Sequence, residues 1–291
     1  MTTLETSPEK QQRDMLGQLH LNEGITEHFV DAGGIRTRYL EAGEGPVVVL
    51  IHGGGAGADS VGNWNAVIPR LSDAYRVIAM DMVGFGETDK PGDDFVYSQE
   101  ARNTHLTAFL DALSLDHVIL IGNSMGGATA LGVAVAQPER VDKLVLMGSA
   151  GLVTEVHEGL APVMNYDFTR HGMERLIRAL TTEGFEISPD MVAYRHEMSV
   201  RDDTRQAYGA TMSWIKQQGG LYYEEDFVRQ VRVPTLVVNG KQDKVVPLAN
   251  AYRFLELIEP SCGVILPHCG HWAMIEHPEQ FAAVTRNFLE S

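Results

Sequence analysis

The segment GNSMGG, residues 122–127, places a serine between an apolar run and a run of small residues. The apolar run is strand-like and the small residues are helix-like, so Ser124 falls at a strand-to-helix turn. Glycines let such a turn bend sharply and hold the serine hydroxyl away from the backbone. A bare Gly-x-Ser-x-Gly match also fits a turn that only needs small residues, but in this context it predicts a catalytic nucleophile.

A serine hydroxyl needs a base, and the base needs a carboxylate that orients it. Asp243 follows the apolar run TLVVNG, and His271 follows GVILPHCG, 28 residues further on. Other histidines, such as His105 and His117, lie on or beside core-like segments, where structural hydrogen bonding is expected. His271 instead lies in a glycine-containing loop beyond the last strand. We therefore predict the triad of Ser124, His271 and Asp243, in the chain order typical of α/β-hydrolases.

A glycine-rich loop, HGGGAGADSVGNW at residues 52–64, directly follows the apolar run VVVLI. Acyl transfer develops an oxyanion, which needs two preorganised N–H donors. The N–H of Met125, just after the nucleophile, is one predicted donor. Gly54 or Gly55 is predicted to supply the other, because glycines let the backbone approach the reacting oxygen closely.

The same loop allows a second interpretation as a dinucleotide-binding fingerprint. Gly53, Gly55 and Ala58 fit its loose spacing, and Asp81 ends the next strand. That interpretation makes the protein a nicotinamide or flavin oxidoreductase. Against it, ADSVGNWN is turn-like, so the helix that should carry the pyrophosphate begins late.

A metal site is the alternative for the segment around His271. His268, Cys269 and His271 are close in sequence. Structural zinc sites, however, take four ligands in recognisable pairs, and the sequence offers no second pair. We therefore predict neither a metal nor another cofactor.

Composition excludes several classes of protein. The 291 residues carry a formal net charge of -16, which argues against binding nucleic acid or an anionic membrane through a basic surface, although a local arginine can still bind a small anion. The first 24 residues have no apolar stretch of signal-peptide length, and no run approaches the roughly 18 residues of a membrane span. Two cysteines form no disulfide framework, so we expect a cytoplasmic protein.

The order of elements predicts an α/β protein with a mostly parallel central sheet flanked by helices. An antiparallel hairpin opens the domain, and dense apolar runs then alternate with helix-like segments, one of them at residues 103–115. Residues 151–229 contain helix-like segments and no convincing strand. We predict a polar tail at 1–24, an α/β-hydrolase core at 25–150 and 230–291, and a helical lid at 151–229.

The glycine-rich loop, the segment GNSMGGATALGVAVAQPERVDKLVLMGSAG, and GKQDKVVP with PHCGHWAMIEHPEQF resemble the meta-cleavage product hydrolases. Members of this family hydrolyse a carbon–carbon bond in 2-hydroxy-6-oxo-hexa-2,4-dienoates formed by ring opening of catechols. The resemblance runs from about Thr26 to the C-terminus and is greatest to the branch that acts in carbazole degradation. It implies an anionic dienoate substrate, favours an aryl group at C6, requires no cofactor and implies a homodimer or larger homo-oligomer.

Four residues carry this narrower resemblance, because many esterases share the triad. Asn63, Asn123, Arg195 and Trp272 match family positions that hold the carboxylate and hydroxy-dienoate end of the substrate. Alternatives remain: Asn63 can stabilise a turn, Trp272 can pack the lid, and Arg195 can be a solvated helix charge.

Two further classes of function stay open at this point. An ordinary carboxylesterase of the same fold would share the triad but would not need Arg195 and Asn123 to converge on a carboxylate. A non-catalytic ligand receptor would keep the cavity without turnover, although the complete triad argues against it. For the acyl group we expect an apolar pocket between core and lid, and its candidate residues are Leu152, Val153, Met164, Phe168 and Met173.

Overall fold

A computed structural model describes residues 21–92, 94–156 and 158–291, so residues 1–20 of the predicted polar tail lie outside the described residues. The strands are β1 (Thr26–Asp31), β2 (Arg36–Ala42), β3 (Val47–Ile51), β4 (Arg76–Met80), β5 (Val118–Asn123), β6 (Val141–Met147), β7 (Leu152–Val153), β8 (Leu221–Tyr222), β9 (Thr235–Gly240) and β10 (Ser261–Leu266). The helices are α1 (Ser60–Trp64), α2 (Ile68–Leu71), α3 (Gln99–Ala112), α4 (Met125–Ala136), α5 (Ala161–Met164), α6 (Arg170–Leu180), α7 (Pro189–Val200), α8 (Asp202–Gln218), α9 (Glu225–Val228), α10 (Leu248–Leu257), α11 (Ala273–Glu276) and α12 (Pro278–Leu289). No helix in these ranges is both long and apolar enough to cross a membrane.

Eight strands form one sheet in the order β1-β2-β4-β3-β5-β6-β9-β10. The first two pair as the predicted antiparallel hairpin, β2 is antiparallel to β4, and the remaining pairs are parallel. The central strands β5 and β9 are buried along their whole length, which is why they are apolar without alternation. The predicted fold class is confirmed.

The strand order reverses at β3, which has β4 on one side and β5 on the other. Ile51 pairs with Gly122, so the loop after β3 and the turn after β5 leave the sheet side by side. Such a switch point at the carboxyl ends of parallel strands is where open α/β sheets bind ligands. The topology thus brings the glycine-rich loop to Ser124.

Residues 151–229, which we call the insertion, separate β6 from β9 and contain α5 to α9. The expectation that this segment lacks strands was wrong, because β7 and β8 pair antiparallel near its two ends. Each has only two residues, too few to produce a recognisable alternation of apolar and polar residues. The pair joins the start of the insertion to its end.

The structure also differs from two predictions about individual helices. The helix predicted at 103–115 begins earlier, because the side chain of Ser98 caps it by accepting from the N–H of Ala101. The stretch ADSVGNWN, predicted to be a turn, contains the short helix α1. The side chain of Asp59 caps this helix by accepting from the N–H of Gly62.

Candidate active site

Ser124 occupies the turn between β5 and α4 in a conformation that L-residues rarely adopt, with φ 55° and ψ -119°. Its N–H donates to the carbonyl of Met147 at 3.1 Å. The flanking glycines are required by close packing: a β-carbon on Gly122 would lie 2.3 Å from the carbonyl oxygen of Gly126, and one on Gly126 would lie 2.3 Å from that of Ile51. Close packing of these backbone segments thus holds Ser124 in a strained conformation.

His271 and Asp243 form a buried pair, with Nδ1 of the histidine 2.7 Å from Oδ2 of the aspartate. The other oxygen, Oδ1, accepts from the N–H groups of Val245 and Val246, each at 2.8 Å. Because the carboxylate can only accept, Nδ1 carries the proton and Nε2 is left as the basic nitrogen. His271 and Ser124 line the same cavity.

The predicted oxyanion donors lie together beside Ser124. Gly54 and Gly55 line the cavity with Met125, and a β-carbon on Gly54 would lie 2.3 Å from Cε of Met125. Met125 is the first residue of α4, so its N–H has no acceptor within the helix. The positive end of the helix dipole favours an anion at the same place.

The cavity that Ser124 faces has a volume of about 710 Å³ with its mouth included. Its polar lining consists of Asn63, Asn123, Ser124, His271 and the indole of Trp272, and the other lining residues are glycine or apolar. The lining from the insertion is Val153, Val156, Leu160, Val163, Met164, Leu180, Met212, Ile215, Gly220 and Leu221. The cavity therefore combines a few polar groups with a long apolar wall.

Of the candidate acyl-pocket residues, Val153 and Met164 line this cavity, whereas Leu152, Phe168 and Met173 are not part of its lining. Phe168 lies in a separate groove on the insertion, with Tyr166 and Tyr208. Its ring packs against both of these aromatic rings. The two spaces share Val156, Met164 and Met212, which form the wall between them.

Arg195 lies directly behind the cavity wall and is fully buried. Its Nη2 donates to the carbonyl of Gly62 at 2.9 Å and to Oδ1 of Asn63 at 3.0 Å, and its guanidinium stacks 4.3 Å from the ring centre of Trp272. It is therefore not a solvated helix charge. Burial lowers the pKa of Arg195 to about 10.

Several buried polar atoms around this wall have no partner within the described part of the protein. They are Nε and Nη1 of Arg195, Nδ2 of Asn63 and Oδ1 of Asn123. The amide nitrogen of Asn123, in contrast, donates to the carbonyl of Met147 at 3.0 Å. A buried polar group left without a partner costs about 1–3 kcal/mol, so such a cluster of donors and an acceptor indicates a ligand site.

A buried ionic network that the sequence did not reveal lies next to Arg195. Asp59, the cap of α1, accepts at Oδ2 from the hydroxyl of Tyr194 at 2.5 Å and from Nη2 of Arg38 at 2.8 Å. Nε of Arg38 also donates to Asp81 at 2.6 Å. The sequence marks Asp81 only as a possible ribose ligand, and the network itself could not be foreseen, because polar side chains spaced far apart in the chain give no signal that they are buried together.

The same network contradicts the dinucleotide interpretation. Asp81, which should bind a ribose, is completely buried, and its carboxylate accepts from Arg38 and from the N–H groups of Ser60 and Glu87. Both oxygens are thus occupied by the protein itself. The expected glycine loop lines the cavity of Ser124 instead.

Of the two histidines expected to be structural, one is. His105 is buried, bonded to the hydroxyl of Thr37 and to the N–H of Val83. His117 instead is exposed and pairs with Asp142 at the surface. Among the residues that the structure describes, no three His, Cys, Asp or Glu side chains are grouped as ligands of a metal.

Known proteins with similar sequences and structures cover nine tenths of the chain. The sequence pattern of the alpha/beta hydrolase fold family matches residues 46–278. The chain is 60% identical over 264 residues to 2-hydroxy-6-oxo-6-(2'-aminophenyl)hexa-2,4-dienoic acid hydrolase of Metapseudomonas resinovorans, covering 90% of each protein. It is 38% identical over 263 residues to 2-hydroxy-6-oxo-2,4-heptadienoate hydrolase of Pseudomonas putida F1, covering 90% of this chain and 95% of that relative.

A solved structure of a serine hydrolase involved in carbazole degradation is similar throughout. It has a TM-score of 0.85 and 57% sequence identity, and the match covers 91% of this chain and 99% of that one.

Proposed function

The chain belongs to the alpha/beta hydrolase fold family and, within it, to the meta-cleavage product hydrolases, and we propose that its substrates are 2-hydroxy-6-oxo-hexa-2,4-dienoates with an aryl group at C6. It is a hydrolase of carbon–carbon bonds. The products are 2-hydroxypenta-2,4-dienoate and an aryl carboxylate.

The observation that carries this proposal is the buried guanidinium of Arg195 behind Asn63 and Trp272. The same wall holds Oδ1 of Asn123, which has no partner among the described residues. A guanidinium is well suited to a carboxylate, with which it makes charge-assisted hydrogen bonds. An enol or its keto form can use the amides of Asn63 and Asn123. The esters of a simple carboxylesterase have no group that needs these contacts.

Cleavage needs a leaving carbon that can accept an electron pair. We infer that the bound dienol is first converted to its keto form, as the proton of the C2 hydroxyl is lost and C5 gains a proton. His271 is the proton carrier in this step, because its Nε2 is the free basic nitrogen at the cavity wall. The resulting C3–C4 double bond, conjugated with the C2 ketone, is an electron sink.

Ser124 then attacks the C6 ketone while His271 takes the hydroxyl proton. The oxyanion is held by the N–H of Met125 and by that of Gly54 or Gly55. When the C5–C6 bond breaks, its electrons move through C4 and C3 to the C2 oxygen, which takes up the proton held by His271. The 2-hydroxydienoate leaves, His271 is again a free base, and an acyl group remains on Ser124. Water activated by His271 hydrolyses this ester, and Asp243 stabilises the imidazolium in each step.

The apolar side of the cavity supports an aryl acyl group. Its lining from the insertion consists of aliphatic and methionine side chains and glycine. These side chains share the cavity with residues that follow the carboxyl ends of the strands. The relative from Metapseudomonas resinovorans acts on a 6-(2'-aminophenyl) substrate, as its name states. We infer that residues 151–229 act as a lid and residues 25–150 with 230–291 as the catalytic core.

We also propose a cellular location and an oligomeric state for the enzyme. Its two cysteines, Cys262 and Cys269, are both free thiols, which suits a reducing cytoplasm. We infer a homodimer or larger homo-oligomer from the family resemblance, and light scattering after size-exclusion chromatography measures it.

The test is the loss of the coloured dienoate, followed by absorbance, with 6-phenyl and 6-methyl substrates and a nitrophenyl ester alongside. We expect rapid loss of the phenyl dienoate, slower loss of the methyl one, and none with Ser124→Ala. Arg195→Met should lower kcat/KM for the dienoates at least about a hundredfold, as expected when a buried charged hydrogen bond is lost, and leave the ester unaffected. Ester turnover without dienoate loss would establish a carboxylesterase instead.

A further inference from the structure

The carboxylate of Glu276 joins the loop of His271 to the insertion. Glu276 ends α11, and its Oε1 accepts from the N–H of Gly270 at 2.8 Å. Its Oε2 accepts from both the N–H and the hydroxyl of Thr182, each at 2.8 Å. One side chain thus fixes the residue before the base and a residue of the insertion.

A second contact joins the same two segments directly. The N–H of His271 donates to the carbonyl of Leu180 at 2.9 Å. A β-carbon on Gly270 would lie 3.0 Å from the carbonyl carbon of Thr181, so the two backbones pack with no room for a side chain. Leu180 also lines the cavity, so one residue both contacts the ligand space and holds the base.

We propose that Glu276 is a positioning residue that sets the place of the His271 imidazole by fixing its loop against residues 180–182. The proposal rests on the part of the proposed function that assigns His271 as the base. Asp243 orients the ring through Nδ1, but it does not determine where the backbone of the base lies. Gly270 and Thr182 together present three donors, and only a carboxylate offers two oxygens that both accept them.

The amide of Glu276→Gln keeps the shape of the side chain and replaces one acceptor with a donor. Its NH₂ group must then face the N–H of Gly270 or that of Thr182, so one of these two backbone hydrogen bonds is lost, although the hydroxyl of Thr182 can turn and accept. A displacement of about 1 Å of a catalytic group can cost about a hundredfold in rate. We expect kcat to fall at least about tenfold, with KM unchanged within about twofold.

The experiment measures kcat and KM for Glu276→Gln with the 6-phenyl dienoate and with a nitrophenyl ester, each normalised to active sites titrated with a fluorophosphonate. His271 serves both reactions, so both should slow by a similar factor. The matched control is Asp167→Asn: Asp167 also lies in the insertion and accepts from the N–H and hydroxyl of Thr169 and from Arg175. It makes no contact with the His271 loop in these bonds, and kcat should not change.

An unchanged kcat per titrated site, with only a lower melting temperature, would show that Glu276 is merely structural and would overturn the proposal. A loss confined to the dienoate, with a raised KM, would also overturn it by assigning Glu276 to the substrate carboxylate. If the wild type hydrolyses only the ester, the proposed substrate is wrong, but the ester still tests Glu276. Should Glu276→Gln not fold, Thr182→Val removes a single hydrogen bond, and a kcat decrease of about threefold is expected.

Discussion

Gly148 lies directly against His271: a β-carbon at this glycine would be 3.0 Å from Nδ1 of the histidine and 3.2 Å from Oδ2 of Asp243. Its φ of 49° is also one that side chains rarely allow. Gly148 follows β6, which lies in the sheet between β5 and β9, the strands that lead to Ser124 and Asp243, and it packs against the imidazole of His271. No motif in the sequence marks this glycine.

We expect Gly148→Ala to lower kcat for ester and dienoate alike by about ten- to a hundredfold, because the methyl group must push the imidazole or the carboxylate aside. Steady-state kinetics, with active sites titrated, measure the effect. Gly92→Ala is the control, since a β-carbon there meets no atom of the described residues within 4 Å. Equal activity of the two variants would mean that the pair moves freely.

Tyr194→Phe removes the hydrogen bond between the insertion and Asp59. We expect a loss of about 1.5 kcal/mol in the free energy of unfolding, as for a hydrogen bond to a charged group, measured by urea denaturation. Because Arg195 is the next residue, KM for the dienoate should rise several-fold while ester hydrolysis stays constant. Tyr252→Phe, at a side chain that is 53% exposed, is the control. Equal losses on both substrates would contradict this role.

The pKa of about 10 that burial gives Arg195 sets the pH range of anion binding. A carboxylate binds the protonated guanidinium, so affinity should be constant between pH 7 and 9 and fall as the pH rises above about 10. Sorbate, a simple dienoate, is a suitable probe for calorimetric titration. Arg195→Met should bind it weakly at every pH, and a variant that binds sorbate as tightly as the wild type would contradict the assignment. A wild-type affinity that is flat to pH 11 would show only that the guanidinium stays protonated.

His105 couples stability to acid pH. Burial lowers its pKa to about 4, whereas an unfolded histidine titrates near 6.5. Between these values the unfolded chain binds more protons, so stability falls as the pH drops from 6.5 to 4, by roughly 3 kcal/mol for this group alone. Urea unfolding at pH 7.5 and 5 should show a smaller difference for His105→Gln than for the wild type. The same difference in both would assign the acid sensitivity to other groups.

The sheet, the hairpin and the meeting of Ser124, Asp243 and His271 at one edge could be predicted because each depends on local patterns. Val, Ile and Leu runs mark strands buried on both faces, and Ser124, Asp243 and His271 each follow such a run. The carboxyl ends of parallel strands meet at one edge, so order along the chain was enough to bring these residues to one place. The structure brings them together at the switch point.

What could not be predicted depends on contacts between distant segments. Tyr194 and Asp59 are 135 residues apart, and Glu276 and Thr182 are 94 apart. No sequence spacing predicts either contact, because the path of the insertion over the sheet determines which residues come together. Arg195 shows the same limit: its burial behind the wall, rather than on it, follows from packing on Gly62 and Trp272.

The hydrogen bond from His271 to Leu180 has a consequence for recombination between family members. If residues 151–229 of one relative replaced those of another, residues 180–182 of the donor protein would pack against the His271 loop of the recipient. A chimaera that also exchanges residues 269–276 keeps His271 together with the Leu180 carbonyl and the Glu276 carboxylate of the same parent. Two segments that are distant in sequence, residues 180–182 and 269–276, thus form one packed unit, and crossover points placed only at the ends of the insertion separate them.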